Sequence, residues 1–178
     1  IKNMYTKERI GENDKFYIAS ISKSFLCEAI TAYNPAIWEM SAFEILKPVH
    51  VHKDWKDFKI YELANHTAGF GKVQKFYSSS GKVKEEYATL CKEWDTEIGK
   101  DPVKRRLNFT HWLLTQEPER QGVFEYSNMG YSVLACIAEL LSGMTYEELI
   151  LKYVCIPNGI EISFTGLENG MGQHPILE

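Results

Sequence analysis

The sequence lacks the features that mark several specialised classes of protein. Its four cysteines, Cys27, Cys91, Cys136 and Cys155, form no CxxC pair, which argues against a zinc knuckle or a thioredoxin-like motif. No apolar run approaches the roughly 18 residues that would suggest a membrane-spanning helix. The lysines and arginines form no basic block and the formal net charge is −4. The electrostatic footprint of a nucleic-acid-binding protein is therefore missing.

The composition is that of a folded globular chain. Hydrophobic residues make up 44% of the sequence and aromatic residues 13%, which excludes an intrinsically disordered protein. A length of 178 residues fits one domain, because about 100–200 residues per domain is usual. We therefore expect residues 1–178 to form a single domain. Cys27 and Cys136 fall inside apolar helical patterns, where a thiol behaves as a small hydrophobic group, and are interpreted as core residues.

Apolar residues recur at helical spacing in two stretches, which predicts a mainly helical chain. Residues 20–33 have one apolar face, and this helix is expected to end near Asn34 because the following proline disfavours helical geometry in the residue before it. Residues 130–141 repeat the spacing, with Gly143 where a left-handed C-cap is wanted. These two helices are the clearest local predictions.

Shorter signals predict the remaining elements. Thr145 and Glu148 have the spacing of a capping box, so another helix is expected to begin directly after Gly143. A short helix is predicted within residues 59–70, ended by Gly69. The polar residues 71–100 are expected to form a surface excursion within the same domain.

Ser20 and Lys23 lie three residues apart in the stretch FYIASISKSF. On a helix, side chains at this spacing project from nearly the same side, and a serine hydroxyl is a weak nucleophile unless a nearby base takes its proton. A serine at a helix start also has its backbone N–H near the positive end of the helix dipole, where an oxyanion is stabilised. The pair therefore fits a catalytic serine and lysine. An N-cap serine followed by a solvated lysine would show the same pattern, and the motif alone leaves both interpretations open.

Two further stretches accompany this pair, ELANHTAGF at 62–70 and GVFEYSNMGYSVLACIAELLSGMTYEELI at 122–150. In this order and at these separations, the three stretches resemble the serine beta-lactamase-like superfamily, in the branch of class C beta-lactamases, D-Ala-D-Ala carboxypeptidases and related esterases. The shared parts are the SxxK that opens a helix, an HTSG-like turn, a YxN motif, and a long helix with an SGM-type end. The resemblance covers most of residues 14–166.

The resemblance implies a fold and a role for four residues. The fold is the α+β fold of the beta-lactamase/transpeptidase type, of which this chain would be mainly the helix-rich portion. Ser20 would be the acyl-forming nucleophile, Lys23 the partner that helps to deprotonate it, and Tyr126 the general base and proton shuttle. A phenol with an unperturbed pKa of about 10 can serve in this way if a neighbouring ammonium stabilises the phenolate. Asn128 would offer its amide to the substrate carbonyl and to Lys23. Without the upstream motif, the YSN stretch would also fit an ordinary helix start.

The usual third motif of the family, a Lys-Thr-Gly or His-x-Gly triad on a strand beside the site, has no counterpart in NGMGQHPILE at 169–178. Only 19 residues precede Ser20, where the family usually has strands of its sheet. We therefore expect a domain truncated at both ends, with an apolar helix face that further segments or a partner chain would cover. The 178-residue chain alone is expected to be inactive, because the missing strand contributes an oxyanion donor in the family.

These observations predict a serine hydrolase that acts on amide or ester bonds through an acyl-enzyme, of the beta-lactamase, penicillin-binding carboxypeptidase or esterase type. The expected substrate is a small-molecule or peptide acyl donor, and no cofactor is implied. The alternative is a catalytically silent homologue that serves as a binding or assembly subunit. His66 is interpreted as a structural residue of its turn. His50 and His52 would share one face of a strand, but we interpret them as a surface pair because no third metal ligand is evident nearby.

Overall fold

The computed structural model describes residues 18–71, 84–97 and 101–164, and this part of the chain is rich in helices. Short 3-10 turns at Ala19–Ile21 and Pro35–Glu39 flank the first helix, and a π-helical turn at Leu151–Cys155 joins the last two. The helices are α1 (Ser22–Tyr33), α2 (Ala42–Leu46), α3 (Ile60–Ala64), α4 (Glu85–Glu97), α5 (Pro102–Thr115), α6 (Asn128–Ser142), α7 (Tyr146–Ile150) and α8 (Ile156–Asn158).

Pairing between extended segments is limited, in the described residues, to one antiparallel bridge between Ser41 and Lys59. The predicted helix-rich character is therefore found. The described residues contain no sheet, so the sheet of the expected α+β fold stays a prediction.

Helix α6 is the centre of the packing. It contacts α1, α2, α3, α5 and α7, and its sequence from Val133 to Glu139 is buried throughout. Ser127 caps its first turn by accepting a hydrogen bond from the Gly130 N–H at 3.0 Å. Gly143 ends it with a φ of +68°, the left-handed C-cap that the sequence predicts. The buried apolar residues of the helices form one cluster, while the organisation of the whole chain as a single domain stays a prediction.

A buried ion pair joins three of the helices. Arg106 on α5 donates two hydrogen bonds to the Glu139 carboxylate on α6, from Nε to Oε2 at 2.9 Å and from Nη2 to Oε1 at 2.7 Å. The same carboxylate accepts the backbone N–H of Tyr146, the first residue of α7, at 2.9 Å. Since the Glu139 side chain is only 1% exposed, its charge depends on these donors.

Several helix ends agree with the sequence and one does not. Helix α1 ends at Asn34, whose extended backbone leads into Pro35, and Thr145 with Glu148 forms the predicted capping box of α7. The predicted stop of α3 at Gly69 is wrong. The chain leaves the helix at Ala64 because His66 adopts a positive φ of 64°, and the carbonyl of Glu62 then accepts the N–H groups of residues 67 and 68.

The polar residues 71–100 fall partly outside the described residues. The part that is described contains helix α4, which the composition alone did not predict. His50 and His52 lie in an irregular segment between α2 and α3, so the strand expected for them is not formed there. His52 Nδ1 lies 3.7 Å from Asp54 Oδ2.

The described cysteines are not bridged. Cys136 and Cys155 are buried and Cys27 is partly buried, and all three are free thiols. Cys136 therefore lies in the core as predicted, while Cys27 lies at its edge.

Some large apolar side chains are exposed, among them Ile21, Val49, Phe124 and Ile156. Whether further segments or a partner chain cover them stays a prediction. None of the described helices is both long enough and apolar enough to span a bilayer.

Candidate active site

Ser20 and Lys23 face the same space. Ser20 lies in the 3-10 turn that leads into α1, and Lys23 lies in the first turn of α1. The Lys23 Nζ donates a hydrogen bond to Ser20 Oγ at 3.3 Å. Ser20 is exposed, whereas Lys23 is partly buried, so the hydroxyl is accessible to a substrate while the ammonium is held behind it.

Tyr126 approaches the same hydroxyl from a part of the chain that is distant in sequence. Its OH donates a hydrogen bond to Ser20 Oγ at 2.8 Å across a separation of 106 residues. Lys23 Nζ lies 5.1 Å from the centroid of the Tyr126 ring and 5.4 Å from that of Tyr131. The expected convergence of Ser20, Lys23 and Tyr126 is thus present in the structure, while their catalytic roles stay a prediction.

The two tyrosines beside Lys23 differ in acidity. The hydrogen bond from Lys23 lowers the pKa of Tyr126 below its ordinary value, with a smaller contribution from Ser20. Burial raises the pKa of Tyr131 well above its usual range, and its OH donates to the carbonyl of Ala64 at 2.9 Å. Tyr126 is therefore the more acidic of the two phenols.

The backbone directly before Ser20 is strained. Ala19 has a φ of +44°, a left-handed conformation that costs roughly 1–2 kcal/mol for a residue with a Cβ. The Ser22 hydroxyl donates to the Ala19 carbonyl at 2.7 Å, which helps to hold this turn. Strain of this kind clusters at functional sites, and no sequence pattern predicted it here.

The HTAG turn holds the segment that carries Tyr126. Backbone N–H groups of the later segment donate to backbone carbonyls of the turn at three places, namely Glu119 to Gly69 at 2.8 Å, Gly122 to Thr67 at 2.8 Å, and Glu125 to His66 at 2.9 Å. Gly69 has a φ of +94°, and a Cβ built on it would lie 2.6 Å from Gln121 Cγ and 3.0 Å from the Glu119 carbonyl oxygen. Only glycine fits this close approach without a shift of the backbone.

Ser127, the middle residue of the YSN motif, is the anchor of the motif. It is buried, its Oγ donates to the Gly71 carbonyl at 3.1 Å, and its N–H donates to His66 Nδ1 at 3.1 Å. Asn128 follows as the first residue of α6 and is exposed. The structure does not bring the Asn128 amide into hydrogen-bond contact with Lys23, and its contact with a substrate stays a prediction.

A separate cavity is lined in part by Gly69 at the end of the HTAG turn and by Phe70 and Gly71, which follow it. Its volume is about 200 Å³, and its lining includes four aromatic residues, Trp55, Phe70, Tyr87 and Trp112, together with Met129 and Glu117. Ser20, Lys23 and Tyr126 do not line it. The three reactive groups therefore lie at an open surface and not in this cavity.

The described residues contain no group of three His, Cys, Asp or Glu side chains placed to hold a metal ion. A hydroxyl, an ammonium and a phenol that lie within hydrogen-bond reach are the kinds of group that can support nucleophilic catalysis by a serine.

Known proteins share both the sequence pattern and the fold. The pattern of the family described as Beta-lactamase matches residues 2–175. A solved structure described as "EstCE1, a hydrolase with promiscuous acyltransferase activity" superposes with a TM-score of 0.60 at 19% identity, over 87% of this chain and 40% of that one. The octameric penicillin-binding protein homologue from Pyrococcus abyssi gives a TM-score of 0.53 at 21% identity, over 81% of this chain and 31% of that one. A D-stereospecific amidohydrolase from Streptomyces sp. gives 0.51 at 20% identity, over 83% and 43%.

No curated protein matches the chain significantly. The chain spans less than half the length of each of the three structures, and at these identities the likeness to them establishes the fold alone. The match to the family pattern extends over nearly the whole sequence. The chain therefore belongs to the beta-lactamase family and has the beta-lactamase/transpeptidase-like fold of that family of hydrolases.

Proposed function

We propose that the protein is a serine hydrolase that cleaves amide or ester bonds through an acyl-enzyme on Ser20. The observation that carries this proposal is the position of Ser20 Oγ, 2.8 Å from the Tyr126 OH and 3.3 Å from Lys23 Nζ. A hydroxyl held between a basic phenolate and an ammonium is activated for attack on a carbonyl. Activation requires the Tyr126 hydroxyl, which donates to Ser20 Oγ in the structure, to lose its proton, after which the phenolate accepts a hydrogen bond from the Ser20 hydroxyl.

In the first step, Ser20 Oγ attacks the acyl carbonyl carbon and its proton passes to the Tyr126 phenolate. The carbonyl oxygen becomes an oxyanion near the Ser20 N–H, at the start of a helical segment where the dipole is favourable. The intermediate then collapses, the C–N or C–O bond breaks, and Tyr126 returns the proton to the leaving amine or alkoxide. Water removes the acyl group from Ser20 by the same route and releases the acid.

Lys23 keeps its charge in this scheme and stabilises the phenolate of Tyr126. Two unit charges about 4 Å apart attract by about 1 kcal/mol in bulk water and about 4 kcal/mol at an effective dielectric constant of 20. Because Tyr126 is 44% exposed, the attraction lies toward the weaker limit in the free enzyme. A bound substrate that excludes water strengthens it at the moment of reaction.

The substrate class that we propose is an acyl donor with an ester or amide bond, including beta-lactams and peptides. The range follows from the relatives of the same fold, which are described as a hydrolase with acyltransferase activity, a penicillin-binding protein homologue and an amidohydrolase. The α+β fold of the complete domain, with a strand that completes the oxyanion hole, belongs to the same proposal.

A fluorophosphonate probe tests the nucleophile in the natural full-length protein. We expect the probe to label Ser20, labelling to vanish in Ser20→Ala, and labelling to fall strongly in Lys23→Ala. Ser24→Ala is the matched control, because this exposed neighbour in α1 has its hydroxyl tied to the Ile21 carbonyl at 2.6 Å, and it should label like the wild type. Labelling that survives Ser20→Ala would identify another nucleophile. A folded wild type that takes up no probe would favour the catalytically silent alternative.

A further inference from the structure

The His66 ring lies against the aromatic residues of the site. Its centroid is 4.6 Å from that of Tyr126 and 5.1 Å from that of Tyr131, with both rings tilted by about 40° relative to it. The edge of Phe124 meets it at 5.8 Å. One face of the Tyr126 ring therefore packs against the imidazole of His66. A movement of the His66 ring would displace the Tyr126 ring, whose hydroxyl contacts Ser20.

His66 also holds both chain neighbours of Tyr126. Its carbonyl oxygen accepts the N–H of Glu125 at 2.9 Å, and its Nδ1 lies 3.1 Å from the N–H of Ser127 as an acceptor. A ring nitrogen that accepts a hydrogen bond carries no proton, so the imidazole is neutral with its proton on Nε2. The backbone around Tyr126 is thus fixed on both sides by one residue.

We propose that neutral His66 is a positioning residue that holds Tyr126 against Ser20, and that protonation of His66 releases Tyr126 and switches the site off in acid. The proposal rests on the proposed function for its effect on activity. The contacts of His66 stand independently of that function.

Protonation removes the acceptor that Ser127 requires. A proton on Nδ1 would point at the Ser127 N–H, which sets one donor against another, and the new cation would face the ammonium of Lys23. Titratable groups approach His66 from each surrounding element, namely Lys23 of α1, Glu62 of α3, Glu125 and Tyr126 of the segment before α6, and Tyr131 of α6.

A cation at His66 is opposed by the burial of the ring and by the ammonium of Lys23. Burial lowers the pKa of His66 below its ordinary value of 6.5, and the charge of Lys23 lowers it further. The neutral, holding form is therefore fully present above about pH 6.5, and it is lost as the pH falls through the lowered folded-state pKa. Both activity and folding stability lose this contribution on the acid side.

The first test is an NMR titration of the histidine rings in the natural full-length protein, with His66→Asn used for assignment. At pH 7 we expect His66 to be neutral with its proton on Nε2, and to titrate below pH 6.5 together with the Ser127 amide signal. A ring protonated on Nδ1 at pH 7, or a Ser127 amide that does not respond, would overturn the proposal. Because this measurement needs no turnover, it stands even if Ser20 proves unreactive and the proposed function fails.

The second test is the pH profile of the rate at which Ser20 is labelled. Asparagine tolerates the φ of 64° at this position, and its side-chain oxygen can accept from Ser127 without titrating. As the pH falls, the wild-type labelling rate should drop first as Tyr126 takes up a proton, at a pKa below its ordinary value of 10, and again in acid as His66 is protonated. The His66→Asn profile should show only the first of these two drops. His66→Phe keeps a ring but no acceptor, and should label about tenfold to hundredfold more slowly at every pH.

His50→Asn is the matched control, because His50 is exposed and should leave the profile unchanged. Identical acid limbs in the wild type and His66→Asn would show that His66 only supports the fold. If His66→Phe does not fold, the asparagine variant and the NMR titration still decide the question.

Discussion

Replacing Arg106 by methionine should destabilise the protein by about 3 kcal/mol, because it leaves the Glu139 carboxylate buried without its cation. Removal of one partner from a buried ion pair typically costs about 3–5 kcal/mol. The lower end of this range of destabilisation applies here, because the Arg106 side chain is 23% exposed and keeps part of its hydration in the folded protein. Glu139 also retains the hydrogen bond from the Tyr146 N–H at 2.9 Å.

Urea denaturation measures this loss. With a slope of about 2 kcal/mol per M for a protein of this size, the midpoint should fall by about 1.5 M. The double variant Arg106→Met with Glu139→Leu removes both charges and leaves only the Tyr146 N–H without an acceptor, which costs about 1–2 kcal/mol. The double variant should therefore be more stable than Arg106→Met alone.

Lys104→Met is the matched control on the same helix. Lys104 is 71% exposed and pairs with Asp101 at 3.7 Å, so its loss should cost less than about 1 kcal/mol. The reasoning is refuted if Arg106→Met stays within 1 kcal/mol of the wild type, or if the double variant is as unstable as the single one. Either result would mean that Glu139 is not held as a buried charge.

Four further changes should have defined effects. Thr110→Val should stabilise by about 1 kcal/mol in urea, because the buried hydroxyl has no hydrogen-bond partner among the described residues and only the weakly polar thiol of Cys136 lies close to it. Ala19→Gly should relieve the positive φ and raise stability by about 0.5–1 kcal/mol, measured by thermal melting. Gly69→Ala should cost about 2 kcal/mol or more and slow probe labelling, because its Cβ meets the backbone of residue 119. Tyr126→Phe should slow labelling by about 10²–10⁴-fold. It should also abolish the increase in labelling rate with pH that follows deprotonation of Tyr126, whose pKa lies below its ordinary value of 10.

Local sequence rules predicted those parts of the fold that depend on neighbouring residues. Asn34 with Pro35, Gly143, and the Thr145–Glu148 box each act within one helical turn, and each has the predicted geometry. The end of α3 was mispredicted because Gly69 is the obvious breaker in the sequence. The positive φ of His66 depends on the rings packed around it, and these come from segments about 60 residues later in the chain.

The same distinction holds at the candidate site. The relation of Ser20 to Lys23 follows from their spacing, because three residues on a helix set the distance between two side chains. The approach of Tyr126 came only from the resemblance to a family, since no spacing rule joins residues 106 positions apart. The strain at Ala19 and the contacts of His66 with both neighbours of Tyr126 had no signal in the sequence.

The way in which Tyr126 is held explains why the three motifs are informative only together. Ser20 and Lys23 are positioned by one helix start, but the phenol reaches them through the HTAG turn, which fixes residues 119–127 by three backbone hydrogen bonds and one bond to a side chain. Gly69 is required where the turn approaches Glu119 and Gln121 most closely. The Nδ1 atom of His66 is required as the acceptor for the N–H of Ser127, the residue after Tyr126. A displacement of about 1 Å at a catalytic group can cost about a hundredfold in rate. A substitution in the turn therefore acts on Ser20 without touching it, and the turn belongs to the chemistry of the site as well as to its architecture.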